Sequence, residues 1–212
     1  MAIQVIYLRD YEISVSSDFV ASIVVYNDQS KTSYAALPTI AEISKELGET
    51  VSEIDLTYCF SGCESLTTAP AIPNGVTNMF GCFRGCINLT TAPTIPNTVT
   101  DMRGCFQQCT SLTTAPTIPS GVTAMNYCFS SCSALTGKIT INANPSTYTN
   151  CMQNTQEEIV LTGSSAQLQN IANTATNNNV YVWSLSINLS AERQEDDFSK
   201  ANVSVIINRF RN

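Results

Sequence analysis

Histidine is absent from this 212-residue chain, and tryptophan occurs only once. Without histidine, the Ser-His and Cys-His pairs that activate a nucleophile are excluded. The sequence also contains neither a P-loop nor a dinucleotide-binding fingerprint. These absences predict a protein that is not an enzyme and that binds no cofactor.

Charged residues are scarce as well, at 13% of the chain, compared with about 25% in typical soluble domains. The net charge is −7, so nucleic acid is not an expected partner, because its phosphates are bound by basic surfaces. No apolar stretch reaches the length of about 18 residues that a membrane-spanning helix needs. Membrane insertion is therefore not expected.

One sequence phrase recurs at a constant interval. Cys-Phe-x-x-Cys-x-x-Leu-Thr-Thr-Ala-Pro-x-Ile-Pro-x-x-Val-Thr-x-Met begins at Cys59, Cys82 and Cys105, which are 23 residues apart. A fourth copy begins at Cys128 and decays after Leu135. A fixed period of this length is typical of a solenoid, in which each copy forms one coil that packs on its neighbours.

The apolar positions of the phrase predict the lining of each coil. Leucines 66, 89, 112 and 135 are expected to form one internal ladder, and phenylalanines 60, 83, 106 and 129 another, with coils about 4.8 Å apart. Residues 99–102 favour a short strand because Val and Thr suit pleated backbone. The spacing of residues 105–109 suits one helical or 3₁₀ turn.

The phrase resembles the BspA-type leucine-rich repeat, most closely over residues 89–102. Cysteine stands at residues 82, 105 and 128, where that family usually has alanine. The resemblance implies an α/β, β-rich leucine-rich-repeat solenoid with a non-enzymatic recognition surface. Such repeats are found on bacterial cell surfaces and on phage fibres. The resemblance covers residues 56–155 and implies no particular ligand.

All nine cysteines lie between residues 59 and 151 in repeat register. Their Cys-x₃-Cys spacing differs from the Cys-x₂-Cys pairs of zinc sites, so no metal is expected. Disulfides between adjacent coils are an alternative, but an evenly spaced ladder gives no unique pairing and leaves one cysteine over. We interpret the cysteines as buried, reduced, small apolar residues, which fits assembly in a cytoplasm.

Three regions are expected. Residues 1–36 form an N-terminal β cap or attachment unit, with strands at 3–8, 11–15 and 19–26. Residues 37–183 form the solenoid, with regular coils at 56–135 and a degenerate coil and cap at 136–183. A short helix at 40–47 precedes the first coil, since Thr39 and Glu42 match a capping box and Gly48 follows its end.

The carboxyl-terminal part is expected to close the solenoid. Residues 159–163 favour a strand and turn, 166–175 a helix capped by Ser164 or Ser165, and 180–183 a strand. Together they predict one further, larger coil with Trp183 as a core plug. Residues 184–212 form a β tail, with alternating strands at 185–189 and 203–207. This tail pairs either with the cap or, as we favour, with another subunit.

Copies of the phrase differ mainly at positions expected to face outward: the two residues inside Cys-Phe-x-x-Cys and the two after Met. Aromatic, arginine and amide side chains at such positions are typical of protein or glycan contacts. The alternative is that outward positions vary freely without function. The candidate binding residues are Phe80, Arg84, Arg103, Gln107, Asn126 and Tyr127.

These features predict a non-enzymatic structural and recognition protein that forms a homo-oligomer. Residues 1–8 lack the basic and apolar regions of a signal peptide. A surface-type repeat without an export signal favours a phage virion appendage, made in the host cytoplasm and released by lysis. The alternative is a bacterial secreted or surface adhesin trimmed of its signal and anchor. Expected partners are other virion or surface proteins and a host-surface protein or glycan.

Overall fold

The structure, a computed structural model, describes residues 4–25, 28–177 and 179–182. The amino-terminal segment forms three antiparallel strands, β1 (Gln4–Leu8), β2 (Tyr11–Val15) and β3 (Val20–Val25). Burial alternates along β2, as the sequence pattern predicts for a half-buried strand. The next two strands are β4 (Glu53–Asp55) and β5 (Val76–Asn78).

The five-stranded sheet continues from this unit into the repeats. Strand β3 pairs with β4, and β4 pairs with β5, both in parallel. The phenol ring of Tyr11 meets the Phe60 ring of the first coil edge to face, with ring centroids 6.0 Å apart. The Tyr11 hydroxyl donates to the carbonyl oxygen of Ala35 at 2.6 Å. The apolar end of the first coil is thus covered.

Helix α1 (Ile40–Leu47) lies where the capping box predicts. The hydroxyl of Thr39 accepts a hydrogen bond from the Glu42 N–H, and the Glu42 carboxylate accepts one from the Thr39 N–H. Gly48 ends the helix with a φ of 73°. The side chain of Ile43 is fully buried, which fixes the helix against the core.

The repeats form a solenoid whose coils are joined by backbone hydrogen bonds. Around Cys-Phe-x-x-Cys, these bonds alternate between neighbouring coils and the same coil. Phe83 N–H donates to the Cys105 carbonyl of the next coil at 2.9 Å, whereas Arg84 N–H donates to the Gly81 carbonyl of its own coil at 3.0 Å. The predicted helical or 3₁₀ turn does not form a helix: the segment is a chain of tight turns, in which Arg84 and Cys86 each donate an N–H to the carbonyl three residues earlier. Each of these segments carries two left-handed residues four positions apart, such as Gly81 and Gly85, and they prevent helical continuation.

The prediction of a strand at 99–102 is also wrong, because these residues do not form a continuous extended segment. Only Asp101 keeps bridge geometry, pairing in parallel with Asn78 and Ala124. Val99 N–H instead donates to the Pro96 carbonyl at 3.1 Å. This copy is joined to its neighbours by isolated bridges at Thr91 and Asp101, whereas the equivalent segment of the preceding copy keeps the short strand β5.

The interior follows the predicted ladders. The four phenylalanine rings are fully buried and stacked nearly parallel, with successive centroids 5.2, 5.6 and 5.7 Å apart. The four leucines of the other ladder are fully buried as well. All nine cysteines are buried and unpaired, which confirms the interpretation of the cysteines as core residues. The structure is accordingly a β-rich solenoid with few helices.

Three strands close the described part of the solenoid: β6 (Gly137–Thr140), β7 (Ile159–Thr162) and β8 (Val180–Val182). Ile159 pairs with Gly137 in the preceding coil and with Val180 in the following one. The last coils are therefore one and two residues shorter than the 23-residue repeat. The predicted strand, helix and strand are present, but the predicted larger size of the closing coil is wrong, because Val180 pairs with Ile159 only 21 residues earlier.

Helix α2 (Leu168–Ala172) is also shorter than predicted, and its N-cap, Gln167, makes no side-chain cap hydrogen bond. The Ser165 hydroxyl accepts from the Gln167 N–H at 3.1 Å, outside the helix. None of the described helices is long and apolar enough to cross a membrane. Trp183 and the tail at 184–212, including both predicted strands, lie outside the described residues.

Candidate recognition groove

All six predicted binding residues line one groove on the outside of the coils. The groove is open to solvent and has a volume of about 350 Å³. Three further residues, Tyr58, Gly81 and Gly104, complete its lining. We refer to this surface as the aromatic groove; its residues are Tyr58, Phe80, Gly81, Arg84, Arg103, Gly104, Gln107, Asn126 and Tyr127.

The shape of the aromatic groove follows from one repeat position. Residues 58, 81, 104 and 127 are equivalent and have φ values of 55°, 59°, 59° and 57°. The same backbone conformation thus carries tyrosine in the outer two coils and glycine in the inner two. Three coil steps of about 4.8 Å place the two tyrosines about 14 Å apart. The glycines leave a depression between them.

The end of the aromatic groove that contains Tyr58 is built from stacked side chains. The rings of Tyr58 and Phe80 are 4.9 Å apart between centroids and tilted by 52°. The guanidinium carbon of Arg103 lies 4.9 Å from the Phe80 ring centroid, in cation–π geometry. The Tyr58 ring also covers Gly81, where a Cβ atom would collide with it. Even so, 42% of Tyr58 remains exposed to solvent.

A column of side-chain oxygens holds the backbone at the groove edge. Asp55, Asn78 and Asp101 are equivalent, and each accepts a hydrogen bond from the backbone N–H two residues later, at 2.7, 2.9 and 2.9 Å. Such turns fix the local chain direction. The last two of these N–H donors belong to Phe80 and Arg103, so the column positions two groove side chains.

The charge of the groove is positive, although the chain is acidic. Arg84 and Arg103 are the only basic residues within 56–135, and both line the groove. Arg103 is neutralised because its Nε and Nη2 atoms donate to the Asp101 carboxylate at 2.5 to 3.0 Å. This hydrogen bonding raises the pKa of Arg103. Arg84 is exposed and forms no ion pair within the residues that the structure describes.

The sequence pattern missed part of this site. Tyr58 is found by extending the alignment back one coil, where Leu56 stands in place of the repeat's Met. Gly81 and Gly104 are groove residues because they lack a side chain, a role that a search for reactive groups does not detect. Ser130 was expected to face outward, but it is buried. Positions inside Cys-Phe-x-x-Cys are therefore not uniformly external.

The cysteine ladders offer no second site. Burial raises the pKa of every one of the nine thiols, to about 12 for Cys132 and Cys151, so they remain protonated. The thiols of Cys86, Cys109 and Cys132 donate to carbonyl oxygens of the preceding coil at 3.0 to 3.1 Å. Among the described residues, no cluster could hold a metal ion.

Comparison with known proteins supports the resemblance of the phrase. The family model described as BspA type leucine rich repeat region matches residues 52–182 in six copies, which is more than half of the chain. No curated protein and no solved structure matches the chain. Leucine-rich repeats generally serve in protein interaction or on surfaces, and the family is generally non-enzymatic. The chain belongs to the BspA-type leucine-rich repeat family.

Proposed function

We propose that this protein is a non-enzymatic structural and recognition protein whose aromatic groove binds a host-surface protein or glycan. One observation carries the proposal. The six variable residues with aromatic, arginine or amide side chains line a single open groove. Stacking of the coils alone aligns equivalent positions, so the support comes from the side chains that meet there, which are those typical of protein and glycan contacts.

We propose a phage virion appendage as the setting, with a bacterial surface adhesin as the alternative. Nine reduced, buried thiols suit assembly in a reducing cytoplasm before release. The adhesin is supported by the occurrence of BspA-type repeats in surface proteins. In both settings, residues 1–36 serve as a cap or attachment unit, 37–183 as the solenoid, and 184–212 as a subunit contact.

Homo-oligomerisation and contacts with other virion or surface proteins are part of the same proposal. Strand β1 is the first strand in the order of the five-stranded sheet. Val5 on this strand is 46% exposed. An apolar edge strand is a site at which another chain can pair.

The binding of labelled protein to intact host bacteria tests the recognition role. The paired variant Arg84→Gln with Tyr127→Ala should lose at least tenfold in retention on cells, because it removes the free charge and one aromatic wall. Lys138→Gln, at an exposed residue outside the groove, is the matched charge control and should bind normally. Equal retention of both variants would refute the recognition role.

Immunogold electron microscopy separates the two settings. Antibody against the chain should label appendages of purified particles if the virion proposal is correct. Labelling of the bacterial envelope in uninfected, phage-free cells would instead establish the adhesin.

A further inference from the structure

We infer that the aromatic groove binds a carboxylated oligosaccharide, with sugar rings stacked on its aromatic side chains and a carboxylate on Arg84. This inference rests on the proposed recognition role and names the ligand class. The anionic group follows from charge, the sugar from the arrangement of aromatic and amide side chains, and the length from the coil spacing.

Charge complementarity indicates the anion. No acidic side chain lines the groove within the described residues, and the only two basic residues of 56–135 are both there. The Arg103 guanidinium is already paired, because it donates to both carboxylate oxygens of Asp101. Arg84 is left as the free cation, and its planar fork of donors matches a carboxylate.

The backbone bonding and the open shape of the groove favour an anionic sugar over an acidic peptide as the ligand. Peptides that add to a protein by strand pairing need unpaired backbone groups. Here the floor is already bonded between coils, because Gly81 N–H donates to the Arg103 carbonyl and Gly104 N–H to the Asn126 carbonyl, both at 2.8 Å. The groove is open rather than a closed pocket for an apolar anchor.

What the groove does offer suits a ring with many hydroxyl groups. Tyr58 and Tyr127 are 42% and 39% exposed, and aromatic faces stack on the C–H faces of sugars. Gln107 and Asn126 also line the groove. The Gln107 amide can both donate and accept, whereas Asn126 offers its N–H donors, because its Oδ1 already accepts from the Thr149 N–H at 2.9 Å. A span of about 14 Å between the tyrosines accommodates an oligosaccharide of about three units.

Titration calorimetry with the full chain tests the inference. The probes are a trigalacturonic acid, a sialylated trisaccharide, the methyl ester of the trigalacturonic acid, and a glutamate-rich peptide. At least one of the two acidic sugars should bind, with a carboxylate-dependent affinity: the ester should bind about tenfold more weakly than its acid. Arg84→Gln should weaken binding of the acid about tenfold, and Lys138→Gln should leave it unchanged.

Each other outcome has a defined meaning. Failure of both acidic sugars to bind, equal binding of acid and ester, or an unaffected Arg84→Gln variant would overturn the inference. Tighter binding of the glutamate-rich peptide than of either sugar would also overturn it, in favour of an acidic peptide ligand. If groove variants still abolish retention on cells, the recognition role survives and only the ligand class falls. Thermal melting of each variant confirms that it is folded.

Discussion

The residue two positions after the buried Leu or Met of each coil controls the shape of the outer surface. Its positive φ costs a residue with a Cβ atom roughly 1–2 kcal/mol, whereas glycine adopts it freely. The backbone is strained in this way at Tyr58 and Tyr127. Glycine at positions 81 and 104 adopts the same φ without that strain. The groove therefore exists because the two inner coils carry no side chain at a position where the outer two carry large ones.

Replacing Gly81 with alanine tests this local account. We expect Gly81→Ala to lower the free energy of unfolding by about 2–4 kcal/mol, because the φ of 59° is strained and the new Cβ collides with the Tyr58 ring. Gly104→Ala is the matched control. Its Cβ would come no closer than 3.6 Å to the Gln107 side chain, so only the backbone cost of about 1–2 kcal/mol is expected.

Urea denaturation of both variants measures the difference. A larger loss for Gly104→Ala than for Gly81→Ala would contradict the packing of Tyr58 over Gly81.

Much of the site could be predicted at this scale, because an exact repeat separates constant from variable residues. Phe80 and Arg103 were identified in that way, and both line the groove. The alignment could not show whether a variable side chain points toward solvent or toward the core. Ser130 occupies the position equivalent to Arg84 and Gln107, yet its short side chain is covered. Ser61, at the same repeat position, is only half-buried, so the coil in which such a residue lies also decides whether it reaches solvent.

Among the structural elements, the phenylalanine stack joins successive coils through the core. Phe106 stacks on both Phe83 and Phe129, at 5.6 and 5.7 Å, whereas among the residues that the structure describes Phe129 stacks on Phe106 alone. Aromatic pairs contribute roughly 0.5–1.5 kcal/mol beyond the area that they bury. The interior and terminal members of the stack should therefore differ in their contribution to stability.

Leucine substitution separates the two positions. Phe106→Leu should lower the free energy of unfolding by about 1–3 kcal/mol, because two ring contacts are lost, and Phe129→Leu by about 0.5–1.5 kcal/mol. Chemical denaturation followed by circular dichroism gives both values. Similar losses at the two positions would show that ring stacking contributes little and that burial alone decides.

The helix before the first coil provides a second test at the scale of elements. Thr39→Ala should lower the free energy of unfolding by about 1 kcal/mol, because the Glu42 N–H loses its side-chain acceptor. Thr39→Ser keeps the hydroxyl and should be nearly neutral. Differential scanning calorimetry distinguishes them, and an alanine variant as stable as the serine variant would be incompatible with a functional cap.

Helix α1 could be predicted to the residue because its signals are local: a capping box, a buried face and a terminal glycine. The turns at Cys-Phe-x-x-Cys could not be predicted from the sequence. Their apolar spacing fits a helix equally well, and only the hydrogen bonds to the next coil exclude a helix. Such bonds depend on the stacking of coils, which a single copy of the phrase does not encode.

At the scale of the whole molecule, the described residues form two sheets with isolated bridges in the coils between them, and the first sheet begins antiparallel and becomes parallel at β3 and β4. Each coil depends on its neighbours for both backbone bonds and apolar contacts. A repeat array of this kind folds cooperatively between nearest neighbours. Anything that destabilises every coil by a small amount therefore destabilises the molecule by the sum of these amounts.

The buried thiols provide such an effect through pH. Burial raises the pKa of all nine in the folded state, whereas an unfolded cysteine ionises near about 8.5. Above that pH the unfolded chain binds fewer protons than the folded one, so stability falls as pH rises. At about pH 9.5 a fully buried thiol costs up to about 1.4 kcal/mol, or roughly 11 kcal/mol for the eight most deeply buried thiols, Cys63 being left out.

That loss is comparable with the 5–15 kcal/mol that stabilises a typical domain. We therefore expect the reduced protein to unfold cooperatively between about pH 9 and 10, with circular dichroism and the ultraviolet absorbance of thiolate changing together. A triple variant with alanine at residues 82, 105 and 128 should show an unfolding free energy that falls about one third less steeply with pH. Thiolate absorbance that rises while the fold stays intact would contradict a sealed interior, because ionised sulfur has no place among stacked phenylalanines.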